Sequence, residues 1–164
     1  WSDMLANGLG TASYMTQQLI WDEERFIPKF SYFPTKYAAI RPEILGSSFT
    51  ESFLKDYNGQ TYWLSFSPGT FMKDSKFPKW ACISIGYGVN KKLVGSEEYY
   101  LDPATGNEYF SSREVLLSLD IDFSKIPVKK PWLKALLKQF NYLKVPFPAV
   151  GIRNGKVFGS VLGY

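Results

Sequence analysis

Several stretches of the chain alternate apolar and polar residues with a period of two, the pattern of half-buried strands. From Thr61 to Ser67, Tyr62, Leu64 and Phe66 share one side. From Ala81 to Gly88, Ala81, Ile83, Ile85 and Tyr87 oppose Ser84, Gly86 and Gly88. From Arg113 to Phe123, Val115, Leu117, Leu119, Ile121 and Phe123 oppose Ser118, Asp120 and Asp122. Phe26 to Phe33 reads as an aromatic strand that Pro28 keeps at an edge, because proline cannot donate to a ladder. Tyr99–Leu101 and Glu108–Phe110 flank the turn-rich run 102–107 and predict a hairpin. Asn154-Gly155 suits a two-residue type I′ turn, whose central residues both need positive φ. That turn pairs Ile152 with Val157, Gly151 with Phe158 and Val150 with Gly159. Both faces of the resulting hairpin are apolar or small, so both need covering by protein, lipid or ligand.

The period changes to that of a helix in three places. Residues 1–21 read as a helix capped by Ser2 or Asp3. Ala6 and Gly10, like Gly8 and Ala12, lie four apart, and small residues at that spacing let a second backbone approach. The expectation is that Ala6, Gly8, Gly10 and Ala12 pack against another helix or strand. Trp1 and Trp21 resemble interfacial anchors, whereas Asn7, Thr16, Gln17 and Gln18 argue against a span exposed to lipid. Residues 34–45 read as a loop. Ser48-Phe49-Thr50-Glu51 is a capping-box pattern opening a helix that runs to Lys55, and Asn58-Gly59 marks a turn. Between Lys130 and Leu143, Leu133, Leu136, Leu137, Phe140 and Leu143 form one apolar stripe, with Lys134, Lys138 and Asn141 opposite. These elements predict one α+β domain over 1–164. Its helical segment is 1–24, and 25–164 is mainly an antiparallel sheet, or a partial or small barrel, of about six to eight strands.

Charge sharpens the picture of the last third. From Phe123 onward there are eight basic residues and no acidic one, while the rest holds eleven basic and fifteen acidic residues. A body of slight negative charge therefore carries a cationic end, which calls for an anionic partner. Lys129, Lys130, Trp132, Lys134, Lys138 and Lys144 flank the amphipathic stretch. They are expected to face anionic headgroups, with leucines at the acyl boundary. The alternative is that the leucines cover the sheet and the lysines are solvated. Aromatic residues make up 18% of the chain, a payload suited to strands, interfaces and headgroup belts.

The inventory narrows the chemistry. The chain has no histidine and one cysteine, so the usual general base, triad member and commonest metal ligand are missing. Cys82 lies in a strand-like run and reads as a buried, inert thiol. Asp120 and Asp122 share a strand face about 7 Å apart and could act as acid and base or hold a hard cation, but read first as a solvated face. Gly86-Tyr87-Gly88 lacks the spacing of a phosphate loop. The expectation is a non-enzyme without cofactor, metal or nucleic-acid partner, in which no residue is essential for turnover.

Three stretches resemble an uncharacterised family of predicted periplasmic lipoproteins common in Bacteroidota. They are residues 54–65, Phe77-Pro78-Lys79-Trp80 with Ile85-Gly86-Tyr87-Gly88, and Leu117-Ser118-Leu119-Asp120-Ile121-Asp122. Asp3 to Gly10 and Trp21-Asp22-Glu23-Glu24-Arg25-Phe26 fit it as well. Members usually carry an upstream export signal and an Asp-Lys-x-Gly-His motif, which residues 1–164 do not contain. The resemblance implies an envelope location rather than a mechanism. The resulting expectation is an accessory subunit at the periplasmic side of the outer membrane, whose partners are membrane lipids and other envelope proteins. The alternative is a small barrel that carries a lipid or another apolar ligand.

Overall fold

The computed structural model describes residues 2–72 and 76–163. The alternating stretches become β1 (Phe26–Tyr32), β2 (Gln60–Phe66), β3 (Ala81–Asn90), β6 (Ser112–Ile121), β7 (Phe147–Arg153) and β8 (Lys156–Gly163). They form one antiparallel sheet in the order β1-β2-β3-β6-β7-β8. β4 (Tyr99–Leu101) and β5 (Glu108–Phe110) pair separately as the expected hairpin. The helices are α1 (Ser2–Trp21), α2 (Tyr37–Ile40), α3 (Pro42–Leu45), α4 (Phe49–Lys55) and α5 (Pro131–Phe140).

Local chemistry accounts for most of these boundaries. At the last hairpin Asn154 and Gly155 adopt φ of 49° and 74°, and the register is the one the turn dictates. Ser48 accepts from the Glu51 N–H at 3.3 Å and opens α4. The Glu51 carboxylate reaches back to the N–H and hydroxyl of Ser47. The expected loop at 34–45 instead contains α2 and α3. Pro42 begins the second, where its missing N–H costs nothing. Tyr37 and Leu45 from this region pack with Leu93 in a small apolar cluster.

The sheet is curled but does not close into a barrel. β1 and β6 are three strand spacings apart, about 14 Å along a flat sheet. Yet the Lys29 ammonium on β1 lies 3.0 Å from the Asp120 carboxylate on β6. Such a reach requires strong curvature, with both side chains on the concave side.

The two edges of the sheet differ. On β1 the Gln17 side-chain amide of α1 accepts from the Phe26 N–H at 2.7 Å and donates to the Phe26 carbonyl at 3.1 Å. Pro28 has no N–H, and Phe30 bonds to the Tyr142 carbonyl and the Lys144 N–H at 2.9 and 3.0 Å. Every device here blocks strand addition. The outer edge of β8 has no backbone partner among the described residues.

Close packing on the concave side depends on glycines, Gly86 among them. Trp63 lies across Gly86, where an added Cβ would stand 2.6 Å from ring carbons. Gly86→Ala is therefore expected to cost about 1–3 kcal/mol in a denaturant melt. Gly95→Ala, where nothing lies within 4 Å, should leave the midpoint nearly unchanged.

Candidate functional site

The sheet is inverted relative to an ordinary soluble one. Its concave face carries Lys29, Ser31, Thr61, Ser65, Ser84, Ser118 and Asp120, each with less than a tenth of its surface exposed. Its convex face is apolar and open to the surroundings. The registers align the convex residues in rows: Phe30, Tyr62, Tyr87, Val115, Ile152 and Val157, then Pro28, Leu64, Ile85, Leu117 and Val150. A third row holds Phe26, Phe66, Ile83 and Leu119. Leu117 and Leu119 are 53% and 61% exposed. The only charged convex residue in the six strands is Arg113, at the rim. Soluble monomers rarely leave a contiguous apolar surface of this extent uncovered.

The band has a defined height and two unlike borders. From Tyr87 to Ala81 the strand runs about 20 Å. Exposed Tyr62 and Tyr87 mark one border. The opposite end gathers Trp21, Phe71 and Trp80, with the Arg25 guanidinium 4.9 Å from the Trp21 ring centre. α5 lies at this same end, following the turn Phe123–Lys125 that leaves β6. No residue of α5 is buried. Leu133 and Leu137 are half-buried, and Leu136, Phe140 and Leu143 are exposed. Within this chain the leucine stripe thus does not cover the sheet.

The expected anion-facing residues separate into two groups. Lys129, Lys130, Trp132, Lys134 and Lys138 are exposed around α5. Lys144 is not, being only 7% exposed. It follows the helix in an extended segment pinned to Phe30, so its side chain turns beneath the sheet. There the ammonium donates to the Leu119 and Val145 carbonyls at 2.8 and 2.6 Å and to the Ser118 hydroxyl at 3.3 Å. It also stands 4.8 Å from the Trp63 ring centre.

The small residues of α1 also lack the expected neighbour. Gly8, Gly10 and Ala12 are exposed, and nothing lies within 4 Å of a Cβ built at either glycine. Trp1, with the side chains of Ser2, Asp3 and Ala6, falls outside the described residues. α1 buries Gln17 instead and leaves Leu9, Leu19 and Ile20 exposed. No described helix is long and apolar enough to cross a membrane.

Asp120 and Asp122 correct the expectation of a solvated face, being 3% and 1% exposed. They serve different partners. Asp120 pairs with Lys29, accepts from the Ser65 hydroxyl at 2.6 Å and receives the Val145 N–H at 3.3 Å. Asp122 caps the following turn through the Ser124 N–H and hydroxyl. Ser84 shares a hydrogen bond with Ser65. Cys82 is buried, as expected. The cluster is a satisfied polar core. Lys144 donates to Ser118, the reverse of the proton flow that a serine nucleophile needs.

Lys144 gives this core a pH signature. Burial lowers its ammonium to about 8, with Asp120 opposing and Lys29 assisting. Above that pH the unfolded lysine still binds a proton that the folded one has released, so stability rises with pH. Between pH 8 and 9 the unfolding free energy should rise, at up to about 1.4 kcal/mol per pH unit. The rise should be missing in Lys144→Met, as read by urea denaturation across that window.

Open depressions border the site. A cleft of about 470 Å³ lies between α1 and α5, and an apolar groove of about 430 Å³ runs between β1 and the end of β8. Comparison with family models, with curated proteins and with solved structures gave no match.

Proposed function

We propose that this chain is a non-enzymatic structural or accessory subunit of the bacterial outer membrane, with its convex sheet face against lipid. The observation that carries the reading is the inversion: a solvent-open apolar face over a core in which buried serines, lysines and an aspartate lie beside Trp63, Leu116 and Ala149. Sheets that meet hydrocarbon have this pattern, with apolar residues outward and polar residues inward along every strand. The aromatic borders match the belts found at membrane interfaces. The basic, uncovered helix α5 suits the headgroup plane, with Lys134 and Lys138 reaching phosphates.

The free edge of β8 bears on the partner. Backbone groups facing hydrocarbon must find hydrogen bonds within protein. The unpaired β8 edge therefore calls for a strand from a neighbouring envelope protein. A second copy suits this poorly: antiparallel β8–β8 pairing inverts one copy across the membrane, and parallel pairing about a two-fold axis turns one apolar face inward. The groove between β1 and β8, lined by Phe30, Phe53, Leu143, Pro146 and Leu162, favours a second reading as a carrier of one acyl chain.

Co-sedimentation with vesicles containing phosphatidylglycerol tests the membrane reading. Parent protein is expected to sediment with them, less so at high salt. Lys134→Glu/Lys138→Glu should lose several-fold in affinity, since each lysine near an anionic surface contributes about 1 kcal/mol. No binding by the parent, or equal binding by the double variant, counts against the headgroup role of α5.

A further inference from the structure

The cleft between α1 and α5 has walls of opposite charge. Asp22, Glu23 and Glu24, at the turn from α1 into β1, line one side. Lys134 and Lys138 of α5 line the other. Glu23 is already engaged, at 2.6 Å from Lys125 and 3.1 Å from Arg25. Glu24, Lys134 and Lys138 make no side-chain hydrogen bond or ion pair among the described residues. Glu24 is half-buried. Tyr14 and Tyr142 stand in the same cleft, and the Glu24 charge acts on the Tyr142 phenol. Burial, followed by the Asp122 charge, raises the Glu24 carboxyl, and the charges of Lys138 and Lys125 offset this only in part. A ligand cation beside it would offset both.

An anion alone would meet the carboxylates, and a cation alone would meet the lysines. A dipolar ligand satisfies both walls. Its ammonium would sit against Glu24 and the tyrosine rings, where carboxylate and ring quadrupole both attract it. Its phosphate would sit against Lys134 and Lys138, as a charge-assisted acceptor. The volume exceeds what a few atoms need and falls within the range of small-ligand sites.

We propose that this cleft binds a phosphoethanolamine-type zwitterion, with Glu24 taking the ammonium and Lys134 and Lys138 the phosphate. As a lipid headgroup site it rests on the membrane reading. As a site for the free phosphodiester it does not.

Calorimetric titration of the whole chain with dihexanoyl-phosphatidylethanolamine, dihexanoyl-phosphatidylglycerol and free glycerophosphoethanolamine is the test. The ethanolamine lipid should bind at least tenfold more tightly than the glycerol lipid. Glu24→Gln should remove that preference and leave the glycerol lipid unchanged. Lys138→Gln should weaken both lipids alike, and near-UV circular dichroism reports whether each variant is folded. Binding of glycerophosphoethanolamine as tight as that of the lipid identifies a soluble source, and binding of the lipid alone identifies the membrane. Equal affinity for the two headgroups, or a preference that survives Glu24→Gln, overturns the proposal. If the ethanolamine preference holds while the parent fails to bind vesicles, the membrane reading fails and the zwitterion site stands.

Discussion

Arginine at both Ile85 and Leu117 is expected to abolish membrane insertion. These residues pair across β3 and β6 in the middle row of the convex face, 49% and 53% exposed. A charge on the lipid face near the midplane costs about 2–4 kcal/mol, so two together shift the partition by three orders of magnitude or more. The concave core is untouched, because both side chains point away from it, and the variant should keep its fold in detergent. Flotation of refolded protein with vesicles on a density gradient reads the effect. Glu97→Arg, in an exposed loop, is the control and should float like the parent. A double variant that floats as well as the parent means the convex face does not meet lipid.

The second large effect concerns the core. Asp120→Ala removes the carboxylate facing Lys29, and both side chains of that pair have no solvent exposure. Lys29 keeps its bond to the Ile121 carbonyl at 2.6 Å, but its charge is left uncompensated, and the Val145 N–H loses its acceptor. Breaking one side of a buried pair costs about 3–5 kcal/mol. Lys29→Met/Asp120→Leu should recover much of that loss, because it removes both charges together. By contrast Glu43→Ala breaks the exposed pair with Arg41 and should leave stability nearly unchanged, because solvent screens such a pair. Urea denaturation of the four proteins ranks these costs. A neutral Asp120→Ala would mean that the concave face is hydrated rather than sealed.

Much of the fold was legible because local chemistry decided it. The Asn154-Gly155 turn set the register of β7 and β8, the Ser48–Glu51 cap set the start of α4, and period-two runs marked β2, β3 and β6. The orientation of the sheet was not legible. An alternating strand says that two faces differ, not which one is buried, and the ordinary assumption puts Val115, Leu117 and Leu119 inside. Here the faces are exchanged, so Asp120 and Asp122 move from an expected solvated face into the core. A signal was present: the polar sides of β2, β3 and β6 are rich in serine, glycine and aspartate, which pack under a tight curl, and Lys29 on β1 supplies the cation for Asp120. In the sequence Gln17 argues only against lipid exposure; its role as an edge cap depends on the approach of α1 to Phe26. Sequence order alone places Lys144 with the surface lysines that it follows. The bond of its backbone to Phe30, a contact between residues far apart in the chain, turns it inward.

Spin labels placed singly from Val115 to Ile121, on a Cys82→Ser background in vesicles, test the inverted sheet most directly. Collision with oxygen, which concentrates in hydrocarbon, should be high at 115, 117, 119 and 121 and low at 116, 118 and 120, while a water-soluble nickel complex should reach none of the odd positions. A period-two pattern in which the nickel complex reaches 115, 117 and 119 would contradict a lipid-facing convex surface.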